Sequence, residues 1–290
     1  MRSALRTLAA VVVATTLVAG CTPTPSSDPS EDTQRVIVEG SLGSVPTVTV
    51  PDDLQVRERQ HWTAIVGSGH QLQPDSEAIV VVNTFDAATG EVVDRPGTGI
   101  PQIVTVSTDG VGPELAELLT NAYEGDRHVL LEPVHTSDVD ILVTVVDILP
   151  GEASGPAQPT PKGLPDLINV DDRNQAVAMG DKPAPEALQS VTIIAGTGAQ
   201  VRLEDTVIIT FTTTHWQTGE VIETSGAHTP VTLDVAEAMS GLRAGLVDQR
   251  VGSRLLLVIP PEDGTGTDTL VMVVDILAAY PAEAHEDEDE

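Results

Sequence analysis

Cysteine is almost absent from this 290-residue chain, where Cys21 is the only one. No intrachain disulfide can form, so stability must come from packing. Basic residues are scarce as well: 14 Lys and Arg face 44 Asp and Glu, a formal net charge of −30. A nucleic-acid backbone needs a basic patch to displace its counterions, and no such patch is visible. Nucleic acid is therefore not expected as a partner. Aromatic residues make up only 2%, namely Trp62, Trp216, Tyr123, Tyr280, Phe85 and Phe211. A mechanism that depends on an aromatic cage is disfavoured from the start. The seven histidines show no HxH or HxxxH spacing, so no metal site and no cofactor are read from them. Ser68, Ser107 and Ser253 lack the sharp strand-to-helix turn that presents a nucleophile. Hydrophobic residues still reach 40%, mostly Val, Leu, Ile and Ala, so sizeable cores can form.

The N-terminus reads as an address. Arg2 and Arg6 precede an apolar run from Leu8 to Ala19, too short to cross a membrane and the right length for a signal peptide. The run ends in Leu17-Val18-Ala19-Gly20-Cys21. This resembles the bacterial lipobox, which implies cleavage before Cys21 and acylation of that cysteine, palmitate included. Two acyl chains make a stable anchor where one is marginal. The expectation is a lipoprotein on the extracytoplasmic face of the cell membrane. The segment that follows is Pro, Ser, Thr and Asp with no apolar periodicity, and reads as a tether.

The body is a repeat. Shifted by 129, residues Gly67, Gly69, Gln71, Ile79, Thr84, Thr89, Gly90, Glu91 and Val92 fall on identical residues from Gly196 to Val221. Gly125, Arg127 and Pro133 match Gly252, Arg254 and Pro260 at a shift of 127, and Asp147-Ile148-Leu149 matches Asp275-Ile276-Leu277 at 128. A period this long is a domain duplication and not a solenoid. The chain therefore divides into a signal peptide (1–20), a flexible tether (21–45), a first domain (46–149), a Pro- and Gly-rich linker (150–186), a second domain (187–279) and an acidic tail (280–290), which reads as a solvated tail.

Each copy reads mainly as strands. Runs at 78–84, 207–213, 254–259 and 269–277 are rich in β-branched and aliphatic residues, and Thr89-Gly90 and Thr218-Gly219 mark turns. Each copy has room for one short helix. Asp234 and Glu237 have capping-box spacing ahead of Ala238, Met239, Leu242 and Leu246. Pro113 suits a first helical position, with Leu115, Leu118 and Leu119 facing inward. His215-Trp216 reads as exposed loop. Gly67-Ser68-Gly69 and Gly196-Thr197-Gly198 precede no helical pattern, so they are turns and not phosphate loops.

The second copy resembles the FKBP-type peptidyl-prolyl isomerase family. The residues that carry the resemblance are Gly196-Thr197-Gly198, the run Asp205–Phe211, Thr218–Ser225, Gly241–Leu246, Val251–Arg254, Ile259-Pro260-Pro261 and Thr269–Leu277, in the family's order. The first copy inherits the assignment through the repeat. The resemblance implies an α+β fold in which each of two domains wraps an antiparallel sheet on one short helix. It also implies a water-poor cleft that binds prolyl peptides, with no nucleophile. Carried over position by position, the family's strand Tyr falls on Phe211 and its Phe-Asp pair on Ile222 and Glu223. Its next Phe falls on Val231, the Val-Ile pair on Ala238 and Met239, and the Trp floor on Leu242. The late-loop Tyr falls near Thr265 and the last-strand Phe on Met272. One ring of the set survives, and the late loop shrinks to about Gly264–Asp268. In the first copy Val82 takes the Tyr position, Val93 and Asp94 the Phe-Asp pair and Leu115 the Trp position.

No single side chain is singled out as catalytic. The lead expectation is a weak isomerase and folding factor acting, as a monomer, on prolyl-containing segments of exported proteins. The alternative is a lipoprotein that binds peptides or proteins with the same fold and no catalysis. A third reading makes the tandem an acidic spacer. An open apolar groove at Phe211, Met239 and Leu242 favours the first and a filled one the second.

Overall fold

The computed structural model describes residues 35–93, 97–134, 140–226 and 228–282. The signal peptide, Cys21, Asp94 and the tail beyond residue 282 lie outside the described residues. In chain order the strands are β1 (Ile37–Glu39), β2 (Thr47–Thr49), β3 (Gln60–Ile65), β4 (Glu77–Asp86) and β5 (Gln102–Thr105). Helices α1 (Thr108–Val111) and α2 (Pro113–Leu119) follow, then β6 (Arg127–Pro133) and β7 (Ile141–Ile148). The second half contributes β8 (Leu167–Val170), β9 (Arg173–Ala176), β10 (Gln189–Ile194), β11 (Asp205–His215), β12 (Val221–Thr224) and β13 (Val231–Asp234). It ends with α3 (Ser240–Leu246), β14 (Arg254–Ile259) and β15 (Leu270–Pro281).

Two antiparallel sheets result. The first has the order β3-β6-β7-β4-β5; the second has β10-β14-β15-β11-β12, with β13 also paired to β11. This is an α+β fold, each sheet wrapped against short helices. The two registers coincide. Val82 faces Val146 as Phe211 faces Val274, and Leu130 faces Thr144 as Leu257 faces Met272. Alternation along each strand then sends one set of side chains to the helix and the other to the opposite face. In the second sheet Val207, Ile209, Leu255, Leu257, Met272 and Val274 pack with Leu242 and Leu246 of α3. The first sheet packs Val80 and Ile148 on Leu119 of α2, with Leu115 and Leu118 partly buried beside it.

The opposite faces are covered too, and here the structure goes beyond the sequence reading. The stretch read as a linker carries the β8–β9 hairpin, and its Ala176 and Met179 pack on Leu256, Val258, Val271 and Val273. Trp216, read as exposed loop, is 3% exposed beneath this segment, and its indole N–H donates to the Lys182 carbonyl at 2.9 Å. Composition hid this, because a Pro- and Gly-rich stretch needs only a few apolar residues to dock. The β1–β2 hairpin covers the first sheet in the same way: Val36, inside the stretch read as tether, and Val48 pack on Val129, Leu131 and Val143. A third layer joins the halves, with Ile79, Val81 and Leu149 against Ile208, Leu277 and Ala278.

The capping box is not formed. Asp234 accepts a hydrogen bond from Thr206 Oγ1 at 2.6 Å, and Val235–Glu237 is a separate 3₁₀ turn. The chain extends at Ala238 and Met239 before α3 starts at Ser240, with no side-chain cap. In the first copy Pro113 does open its helix, but an additional turn, α1, precedes it, capped by Ser107. The Gly-Xaa-Gly pairs are close-packing sites: a Cβ on Gly67 or Gly196 would stand 2.3 Å from the carbonyl oxygen of Glu124 or Val251. Among the described residues no helix is long and apolar enough to cross a membrane.

Candidate functional site

In the second domain the cleft positions divide into a floor and a rim. Leu242 and Met272 are 5% and 2% exposed, packed into the core between α3 and the sheet. Phe211, Val231 and Met239 are half-buried against the same cluster. Phe211 sits where β11 changes partner from β13 to β12. Its amide donates to Ser225 Oγ at 3.1 Å, and its carbonyl accepts from Ser225 N at 3.1 Å and Thr224 Oγ1 at 3.0 Å. The strand therefore opens there without orphaned backbone groups. Ile222, Glu223 and Thr265 are not part of this assembly: all three are exposed, Ile222 at 46%. The late loop is tied down near α3, where Ser240 Oγ donates to the Asp263 carbonyl at 3.1 Å. The result is a filled floor with an apolar rim of Phe211, Val231 and Met239.

The first domain differs at the equivalent place. Val82, Leu115, Leu130 and Val146 line an open groove of about 250 Å³, with Thr84 and Thr144 in its bed. At its end Arg59 joins Glu114 at 3.0 Å and also pairs with Glu132, whose oxygen its Nε meets at 3.0 Å. Hydrogen bonds that Arg59 donates to Glu114 and then to Glu132 hold its guanidinium above its ordinary value, and Arg59 holds Glu114 below the usual carboxylate range. Sequence reasoning did not single out Arg59, Glu114 or Glu132. A signal was present, since the shifts of 129 and 127 set Arg59 on Leu188 and Glu132 on Ile259. A charge replacing an aliphatic residue at an aligned core position is a local change of environment.

His128 lies on the same face of β6 as Leu130's neighbours in the groove, opposite Val146. Its Nδ1 is 3.2 Å from Thr63 Oγ1 and its Nε2 is 3.3 Å from Asp126. Burial, the largest influence, pushes the imidazole below its ordinary value; the Asp126 charge opposes this and His61 reinforces it. Each domain also buries an Arg–Asp pair on the face away from its helix. Arg127 meets Asp147 at 2.6 and 2.7 Å, and Arg254 meets Asp275 at 2.6 Å twice. Arg127 also donates to the carbonyls of Gly40 and Ser41, clamping the β1–β2 hairpin. These pairs hold structure. Among the described residues no three His, Cys, Asp or Glu side chains group so as to hold a metal ion.

Comparison with known proteins places the second domain in a family context. Residues 198–273 match the family model described as FKBP-type peptidyl-prolyl cis-trans isomerase. A protein of Corynebacterium glutamicum described as a probable FK506-binding protein is 30% identical over 107 residues, 33% of this chain and 91% of its own length. Among solved structures, FkpA from Escherichia coli is 27% identical with a TM-score of 0.31. The alignment covers 32% of this chain and 48% of FkpA, so the match spans about half of that protein. The three FKBP domains of wheat FKBP73 align with 76% of this chain and 94% of their own at 14% identity and a TM-score of 0.30.

Proposed function

Because the chain belongs to the FKBP-type peptidyl-prolyl cis-trans isomerase family, we propose that it is a weak prolyl isomerase and folding factor for exported proteins. In this reading it is held by an acylated Cys21 on the extracytoplasmic face of the membrane. Rotation about an X–Pro bond is opposed by a barrier of about 18–20 kcal/mol that arises from amide resonance. A twisted amide has less charge separation than a planar one, so a site that excludes water favours it without any nucleophile. The observation that carries the reading is the rim of Phe211, Val231 and Met239, apolar and half-buried over Leu242. Such a rim can shield one face of a prolyl ring. Met239 can adapt its shape to the flanking residue.

The activity is weak in this reading because the floor is already filled. Leu242 and Met272 are packed as core, so a proline lies on the rim and is not enclosed. Water then reaches one side of the amide, and much of the differential stabilisation is lost. The same filled floor favours binding without catalysis as the second reading. A protease-free isomerisation assay with a Leu-Pro peptide on the full chain separates the two. A rate above background that Phe211→Asp removes, with peptide binding measured in parallel, supports the isomerase. Binding with no rate enhancement at any enzyme concentration selects the second reading.

A further inference from the structure

The groove of the first domain is a site of a different kind. Four of its walls are aliphatic: Val82, Leu115, Leu130 and Val146. Its volume of about 250 Å³ lies below the ~300–1,000 Å³ of a drug-sized pocket and leaves room for one apolar side chain and its backbone. Its end is charged: Glu114 from α2 and Glu132 from β6 share the single cation Arg59, leaving one negative charge in excess. Both acids remain accessible, Glu114 at 67% and Glu132 at 34%. The residues from 36 to 149 contain no lysine, and the chain as a whole carries a charge of −30. A field of that sign draws cations toward the groove before contact.

We propose that the first-domain groove binds peptide segments in which a leucine-sized apolar side chain is followed by Arg or Lys, with no requirement for proline. The apolar side chain enters between Leu115 and Val146. The cation joins the Glu114–Arg59–Glu132 cluster and balances its excess charge. Thr84 and Thr144 offer hydroxyls to the peptide backbone. In the second domain the same positions carry Leu188, Leu257, Ile259 and Met272, all aliphatic or thioether and mostly buried, so no charged end exists there. The two domains thus select different features of a client chain.

The test uses fluorescein-labelled, proline-free peptides and is therefore independent of the prolyl site. A Leu-Arg and a Leu-Glu peptide are titrated against the full chain in phosphatidylcholine nanodiscs, with empty nanodiscs subtracted. The Leu-Arg peptide is expected to bind about tenfold or more tightly than Leu-Glu, and to weaken as salt rises. Glu114→Gln with Glu132→Gln should erase the preference while the groove stays open. Thr144→Met with Glu132→Ile places the second domain's residues in the first and should abolish binding of both peptides. Because Met272 and Ile259 already pack in this register, that variant is expected to fold, which circular dichroism checks. Equal affinity for the two peptides, no binding of either, or binding of Leu-Arg that survives both variants would overturn the proposal.

Discussion

The two halves share a strand register residue for residue, yet the faces that meet their helices have diverged. In the second, Leu255, Leu257, Met272 and Val274 pack without interruption onto α3. In the first, the equivalent positions are His128, Leu130, Thr144 and Val146, and the helices cover only part of the sheet. A duplicated fold keeps its hydrogen-bonded frame because every strand depends on its neighbours. The helix-facing surface is under no such constraint where the helix does not reach. The frame is what the halves share, and the uncovered surface is where they differ.

The largest effect should come from the feature the halves share. Asp147→Ala strands the Arg127 charge, 1% exposed, and should destabilise the first domain by about 3–5 kcal/mol. Asp275→Ala should cost less, because Arg254 is 11% exposed and has Glu152 at 3.9 Å. Trp62 lies on the first core and Trp216 on the second, so a chain keeping one of the two reports one domain in urea titrations. Equal losses for the two substitutions would show that the hairpin clamp around Arg127 adds nothing.

Next comes the face on which the halves differ. Leu257→Ala removes a fully buried side chain and should cost about 2–5 kcal/mol. Leu130→Ala, at the matching position on the open groove, should cost less than ~1 kcal/mol, since little cavity is created. A large loss for Leu130→Ala in the same titration would mean that the groove is closed in solution.

Much of this was legible in the sequence. The duplication, the long strands and the Pro113 helix follow from identities at fixed shifts and from β-branched runs. Among the site positions, Phe211, Val231, Met239, Leu242 and Met272 share one apolar cluster. Ile222 and Glu223 lie outside that cluster and are exposed, with Ile222 at the bulge between β11 and β12. The capping box failed because Asp234 had a competing partner, Thr206, 28 residues away. Trp216 was misplaced because the segment that covers it was judged by its prolines and glycines. The Arg59 cluster joins the residue before β3 to α2 and β6, so only the fold assembles it.

Two finer tests compare matched pairs. Thr84 Oγ1 is 3.5 Å from Thr144 Oγ1, whereas Thr213 Oγ1 is buried with no hydrogen-bond partner, because Met272 replaces the second threonine. Thr213→Val should raise the stability of the second domain by about 1 kcal/mol, while Thr84→Val should leave the first unchanged or slightly lower. Opposite signs in the two Trp-reported melts are the result to look for. The smallest effect concerns pH. The folded His128 titrates below its unfolded value, so its contribution is present above about pH 6.5 and is lost as pH falls toward the lowered folded value. The first domain should weaken in that window, and His128→Leu should remove this part of the slope. Leu255 occupies the matching place in the second domain, which should show no counterpart of this loss.

The clamp on the β1–β2 hairpin has a mechanical consequence. That hairpin pairs only with itself and is held to the first sheet by Val36 and Val48 and by the two carbonyl contacts from Arg127. A pull on the chain from its N-terminal side loads these contacts first. The hairpin then peels away one contact at a time instead of shearing a row of backbone hydrogen bonds. The five strands behind it keep their pairing while Val129, Leu131 and Val143 come into solvent. The second sheet carries a hairpin of its own, β8–β9, paired only with itself.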